Sequence, residues 1–267
     1  MTTGSFSSRV LVAVPGVALA IAAVALGGPL FALATALVAV LGLYELYSLT
    51  AAARPLRWAG YLGALLVVGL AFASDDPERG ILAGLGAALG LVAVAGLIVS
   101  RRDDITTRMA TTLMGVVYLG LPMGLLVALR DLPDGAGAVA NVLVGVWVFD
   151  TASYVGGRMW GRIPIAPRTS QKKTVEGALI GGASALLAVW VAGLYMDWLG
   201  GWDSLMLGLV ISLAAFLGDL FESVLKRDAG AKDSGRLLMG HGGVLDRFDS
   251  LLFAGVAAYF VTVWVVY

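Results

Sequence analysis

The chain has 267 residues, 59% of them hydrophobic and 13% charged; 18 Lys and Arg balance 18 Asp and Glu, with one His and no Cys. With a mean hydropathy of +0.90, it carries far fewer charges than the roughly 25% of a soluble domain and more apolar surface than a core of its own could hide, so it is an integral membrane protein. The balanced charge offers no basic excess for a nucleic-acid partner, and the lack of cysteine excludes disulfides and thiolate metal sites.

A membrane crossing needs about 20 apolar residues, and such runs recur at 10–28, 30–49, 58–74, 80–100, 109–129, 138–157, 176–196, 204–225 and 249–267. The first follows a single Arg, as in a signal peptide, but it nearly spans a bilayer and a second run follows across Gly27-Gly28-Pro29. It therefore reads as a retained first span. Gly80-xxx-Gly84 and Gly86-xxx-Gly90 in the fourth run read as close packing between helices of one chain, the alternative being the face of a homodimer.

With the N-terminus in the cytoplasm, the loops on that side hold all of the eighteen Lys and Arg except Arg79 and Arg130. This obeys the positive-inside rule, and one span more or fewer would scramble it. The sequence thus predicts an all-α polytopic membrane protein with nine transmembrane helices, N-terminus cytoplasmic and C-terminus outside. It forms one membrane domain over 1–267, with N-terminal helices over 1–137. The C-terminal half, 138–267, is expected to be catalytic, with cytoplasmic loops at 158–175 and 226–248.

A carboxylate at the bilayer centre costs about 2.5–3.5 kcal/mol, so acids within spans need a reason. Glu45, Asp150, Asp219 and Glu222 are such acids. At a rise of about 1.5 Å per residue, Asp150, Asp219 and Glu45 lie about 10, 9 and 7 Å from the cytoplasmic ends of their spans, which predicts one polar basin opening inward. The sixth span continues into GRMWGRIPIAPRTSQKKTVEG, a basic segment on the same side, whose Pro164 and Pro167 predict an ordered connection able to close over that basin.

The eighth span ends in GDLFESVLKRD. Asp219, Glu222, Ser223 and Lys226 share one helical face, and Asp219 lies too deep to be a snorkelling charge. Asp246 and Asp249 share a face where the ninth span begins. Acids in a first turn often only complement the helix dipole, but the eighth and ninth spans form a hairpin that can bring Asp219, Asp246 and Asp249 together. Converging carboxylates favour a hard cation such as Mg2+ over Zn2+. Between them, Lys226, Arg227, Lys232, Arg236 and Arg247 offer positive charge, and Gly240, Gly242 and Gly243 flank His241. Such glycines let backbone N–H groups turn toward an anion, and His241 among them reads as a phosphate contact. No GxxxxGK[ST] pattern occurs, which excludes a P-loop.

Ser223 to Asp249, SVLKRDAGAKDSGRLLMGHGGVLDRFD, resembles the signature of the phosphatidate cytidylyltransferases, the CDP-diacylglycerol synthases. Ser223, Lys226, Arg227, Lys232, Asp233, Gly235, Leu238, His241, Gly242, Gly243, Asp246, Arg247 and Asp249 match it in register, and Met239 stands where the family usually has Pro or Gly. Asp150-Thr151, Ala166-Pro167-Arg168, Ser170, Lys172-Lys173-Thr174 and Glu176-Gly177 resemble a second, looser stretch, with Gln171 and Val175 as departures.

The resemblance implies transfer of the cytidylyl group of CTP to phosphatidic acid, giving CDP-diacylglycerol and pyrophosphate. It further implies dependence on Mg2+, with one cation or two, and an active site on the cytoplasmic face of a bacterial plasma membrane. The expected metal ligands are Asp219, Asp246 and Asp249, which with Lys226 form the catalytic set. Lys172, Lys173, Ser223, Arg227, Lys232, Asp233, His241, Gly242, Gly243 and Arg247 are expected to bind substrate. The rival readings are a CTP-dependent kinase of a polyprenol-type alcohol and, more remotely, an ion-coupled transporter, which would be expected to carry midplane acids and inverted repeats.

Overall fold

The computed structural model describes residues 6–99, 103–167, 169–235, 237 and 242–267, and for 6–14 and Gln171 the backbone alone. Its helices are α1 (Phe6–Leu26), α2 (Gly28–Leu49), α3 (Arg57–Ala73) and α4 (Pro77–Ile98); α5 (Ile105–Asp131), α6 (Gly135–Trp160), α7 (Val175–Gly193), α8 (Gly201–Asp228) and α9 (Leu245–Val266) follow. Among the described residues seven of these are long and apolar enough to cross a membrane; α3 and the part of α1 whose side chains are described, Pro15–Leu26, are shorter apolar helices. The chain is therefore an all-helical, polytopic membrane protein, and every predicted run falls on a helix.

The helices fold into two compact units. The first joins residues 1–131 to 229–247, so the loop that the sequence groups with the C-terminal half folds with the N-terminal helices. The turn between α1 and α2 is a single residue, Gly27, at φ +62°. A Cβ there would lie 2.5 Å from Nη2 of Arg130, whose Nε donates to the carbonyl of Val24 at 2.7 Å. Helices α3 and α4 touch through glycine: a Cβ at Gly84 would sit 2.6 Å from Cα of Val67. That contact belongs to packing within the chain, whereas Cβ atoms at Gly86 and Gly90 would meet nothing within 4 Å.

In α5 a π-helical turn, Val116–Gly120, lies just before Pro122. Proline has no N–H for the α-helical ladder and crowds the carbonyl four residues back, and a widened turn relieves both. Leu43, Leu46, Tyr47, Leu119 and Met123 form the buried centre of this unit, and Tyr47 donates through its hydroxyl to the carbonyl of Thr112 at 2.8 Å.

The second unit comprises residues 132–228 and 248–267, so α9 starts in the first unit and continues in the second. Its core gathers Val142, Val189, Leu207, Ile211 and Leu252. Between α6 and α7 the chain forms an antiparallel hairpin, β1 (Pro164–Ala166) and β2 (Ser170–Thr174), with Pro164 opposite Thr174 and Ala166 opposite Ser170. Thr174 caps α7, its hydroxyl accepting from the N–H of Gly177 at 3.2 Å. Glu176 in the first turn accepts from the N–H groups of Arg162 (2.9 Å) and Ile163 (3.2 Å). The cap and this carboxylate tie both ends of the hairpin to one helix end.

Candidate active site

In the second unit, β2 carries Lys173 toward the last turns of α8. Its Nζ lies 2.7 Å from Oδ1 of Asp219 and donates to Oγ of Ser223 at 3.1 Å. One turn on, the ammonium of Lys226 pairs with Oε2 of Glu222. The two pairs differ in depth. The Asp219 side chain keeps 34% of its surface exposed and that of Lys173 18%, whereas Glu222 keeps 1% and Lys226 14%. Arg227 donates from Nε to the carbonyl of Thr169 at 2.9 Å, so the hairpin is tied to α8 by a charged donor from each partner.

Helix α9 lies against the same stretch of α8. A Cβ at Gly218 would collide with the carbonyl oxygen of Asp249, so only glycine permits this approach. Asp249 is buried, accepts from the N–H of Ser250 at 2.8 Å, and lies within electrostatic reach of Glu222, Asp219 and Asp150. Ser250 donates from Oγ to Oδ1 of Asp150 at 3.3 Å. The second unit thus brings together Asp150, Lys173, Asp219, Glu222, Ser223, Lys226 and Asp249; Lys172 is exposed beside them on the hairpin.

The rest of the signature is held in the first unit, around Glu45. This side chain is 1% exposed. It accepts from Oγ of Ser234 at 3.1 Å and from the N–H groups of Val244 (3.0 Å) and Leu245 (2.8 Å). Asp246 accepts through Oδ2 from the N–H groups of Ser234 (3.0 Å) and Gly243 (2.8 Å), and its own N–H donates to Oγ of Ser234 at 3.3 Å. Cβ atoms at Gly235 and Gly243 would collide with the Glu45 carboxylate. Gly242, at φ +82°, would set a Cβ 2.7 Å from Oδ2 of Asp246.

These glycines do bring backbone N–H groups to anions, but the anions are the protein's own carboxylates. Glu45, expected to wall an open basin, is instead sealed within its unit. Lys232, Asp233 and Arg247 are exposed. His241, Arg236, Gly240, Leu238, Met239 and Arg168 lie outside the described residues.

The donors near Asp219 are carboxylate oxygens, which suit a hard cation. Among the described residues no three of His, Cys, Asp and Glu gather closely enough to hold a metal ion. Mg2+ is usually bound by one or two carboxylates completed by substrate phosphates, and the Asp219 and Asp249 pair fits that mode.

Two residues of this geometry stand outside the set expected from the sequence to bind or catalyse. Glu222 is the buried partner of Lys226, a pairing its i, i+4 spacing announces. Glu45 is the anchor of a loop some two hundred residues away, for which its depth in a span was the sole signal.

Residues 7–265 match the model of the cytidylyltransferase family. The chain is 32% identical, over 96% of its own length and 96% of the relative's, to the phosphatidate cytidylyltransferase of Synechocystis sp.. It is 37% identical to that of Brucella suis over 79% of this chain and 74% of the relative, and 34% identical to that of Staphylococcus haemolyticus over 71% and 73%. The chain belongs to the cytidylyltransferase family.

Proposed function

We propose that the chain transfers the cytidylyl group of CTP to phosphatidic acid, forming CDP-diacylglycerol and pyrophosphate for phospholipid synthesis. One observation carries the reading: relatives matched over most of their length are phosphatidate cytidylyltransferases. The cluster of lysines and carboxylates on α8, α9 and β2 is the chemistry such a transfer needs. A phosphate oxygen of phosphatidic acid attacks the α-phosphorus of CTP and a new P–O bond forms. The bond from that phosphorus to the α–β bridging oxygen breaks, and pyrophosphate leaves with that oxygen. Such a reaction is accelerated mainly by positioning and by neutralising charge on phosphate oxygens.

Lys173 and Lys226 present ammonium groups to those oxygens. Glu222 fixes Lys226, while Lys173 stands between Asp219 and Ser223 and is free to exchange partners. Asp219 and Asp249, joined in the signature by Asp246 three residues earlier on the same helix, are the residues for Mg2+, one ion or two, which when bound supplies positive charge to the phosphates. Lys172, Arg227, Lys232, His241 and Arg247 contribute further charge to CTP and the lipid head group. Ser223, Asp233, Gly242 and Gly243 fix the geometry. The reading extends to nine membrane crossings with the N-terminus inside, and to a site on the cytoplasmic face of a bacterial plasma membrane. The one-sided distribution of Lys and Arg supports this orientation.

The test is purified protein in detergent with phosphatidic acid, Mg2+ and CTP labelled on either the α- or the γ-phosphate. The expected result is α-label in the lipid phase, γ-label in pyrophosphate, and no transfer in EDTA. Release of CDP, with γ-label passing to a lipid alcohol, would replace this reading with a kinase.

A further inference from the structure

Among the described residues the mechanism leaves one buried carboxylate without a task. Glu45 lies on α2, and its two carboxylate oxygens are shared among three donors from a distant part of the chain: Ser234 Oγ and Leu245 N–H on Oε2, Val244 N–H on Oε1. Its partners lie on both sides of the central part of the signature. Ser234 precedes it; Val244 and Leu245 follow it and open α9. One side chain therefore sets the distance between the two ends of that loop and the start of α9. Ser234 does double duty, since its Oγ also accepts the N–H of Asp246 while its own N–H goes to Asp246 Oδ2. Glu45 and Asp246 are thus bridged by a single serine.

The packing around the carboxylate is too close for Cβ atoms at Gly235 and Gly243. Simple stabilisation of a helix end would not require two glycines to press against an acid from another helix; a fixed backbone path does. Burying a carboxylate inside a membrane protein is costly unless donors surround it, and here the donors are those of the signature loop itself.

We infer that Glu45 is a positioning residue for nucleotidyl transfer, which holds the backbone of Ser234 and Val244–Leu245 so that Asp246 and the first turn of α9 are correctly placed. The inference rests on the cytidylyltransferase reading. Glu45 is buried among these donors and acts through the loop, so its loss should lower the rate of the bound complex more than the affinity for CTP.

The test compares wild type, Glu45→Gln, Glu45→Asp, Ser234→Ala and the Glu45→Gln/Ser234→Ala double variant, each normalised to folded, detergent-extracted protein. Glutamine keeps the shape, but its amide nitrogen must face either the Val244 or the Leu245 N–H, so one backbone donor loses its acceptor. For Glu45→Gln we expect kcat lower by about tenfold or more, with KM for CTP within about threefold of wild type. Hydrogen exchange at the Val244 and Leu245 amides should be faster. Ser234→Ala should show a smaller fall of the same kind, and the double variant a loss well short of the product of the two, because both act on one knot. Glu45→Asp should recover part of the rate.

Wild-type kcat and unchanged exchange in Glu45→Gln would overturn the inference, as would a defect confined to the yield of folded protein. Should Glu45→Gln not accumulate, wild-type rates in both Glu45→Asp and Ser234→Ala would overturn it instead. Absence of cytidylyl transfer by wild type itself would remove the functional reading first, leaving faster exchange at Val244 and Leu245 as evidence only for the structural link.

Discussion

Glu45 and Asp219 are both carboxylates within apolar helices, at similar distances from the ends of their spans, and they are held in opposite ways. Glu45 is 1% exposed and its oxygens accept from two backbone N–H groups and one hydroxyl. The Asp219 side chain is 34% exposed and is held by the ammonium of Lys173, the tip of a flexible side chain. An acid sealed from solvent among rigid backbone donors offers no open face to a metal ion and serves the fold. An acid held by one movable cation can exchange that cation for a metal ion or yield it to a phosphate. Depth in the membrane alone does not distinguish the two; the nature of the donors does.

The comparison breaks most sharply at Asp219. Asp219→Asn is expected to lower kcat by about three orders of magnitude, while helical circular dichroism and extraction from the membrane stay those of wild type. Lys226→Ala should lower kcat by about a hundredfold, not recovered by raising CTP. It should also lower the melting temperature in detergent, because an ammonium is withdrawn from a buried carboxylate. Adding Glu222→Gln should restore the melting temperature but not the rate, separating the structural part of that pair from its chemistry.

Gly218→Ala sharpens the comparison through the backbone. A methyl group pressed on the carbonyl of Asp249 should cost about 1–3 kcal/mol of stability and about tenfold in rate as α8 and α9 shift, both measurable on the same preparation. Lys172→Ala, on the exposed side of the hairpin, should change kcat/KM by only about threefold, through KM for CTP. That difference should shrink at high ionic strength.

Much of this was legible in the sequence because it is local. Each helix coincides with an apolar run, and the stripe Asp219, Glu222, Ser223 and Lys226 lies on one face of α8, with its i, i+4 ion pair where the spacing puts it. The hairpin was legible only as an ordered, proline-bearing connection. Its strands are three and five residues long, Pro-Ile-Ala and Ser-Gln-Lys-Lys-Thr, the first too short and the second too polar for any alternation of apolar residues to mark them.

What was not legible is long-range. Nothing near Asp219 names Lys173 as its partner, and nothing near Gly243 says that Glu45 occupies the space where a Cβ would go. Of the glycines that read as a cradle for a substrate anion, Gly243 lies against Glu45 and Gly242 against Asp246. Composition and motif reveal that backbone N–H groups meet an anion, but only the fold reveals whose anion it is.

The most direct test of this division of labour is the Mg2+ dependence of α-labelled cytidylyl transfer, titrated side by side for wild type, Asp219→Asn and Glu45→Gln. The account predicts that Glu45→Gln, though slower, reaches half-maximal rate within about twofold of the wild-type Mg2+ concentration, whereas the residual activity of Asp219→Asn needs at least about tenfold more or does not saturate. A wild-type rate and Mg2+ requirement in Asp219→Asn, or an equal shift in Glu45→Gln, would contradict it.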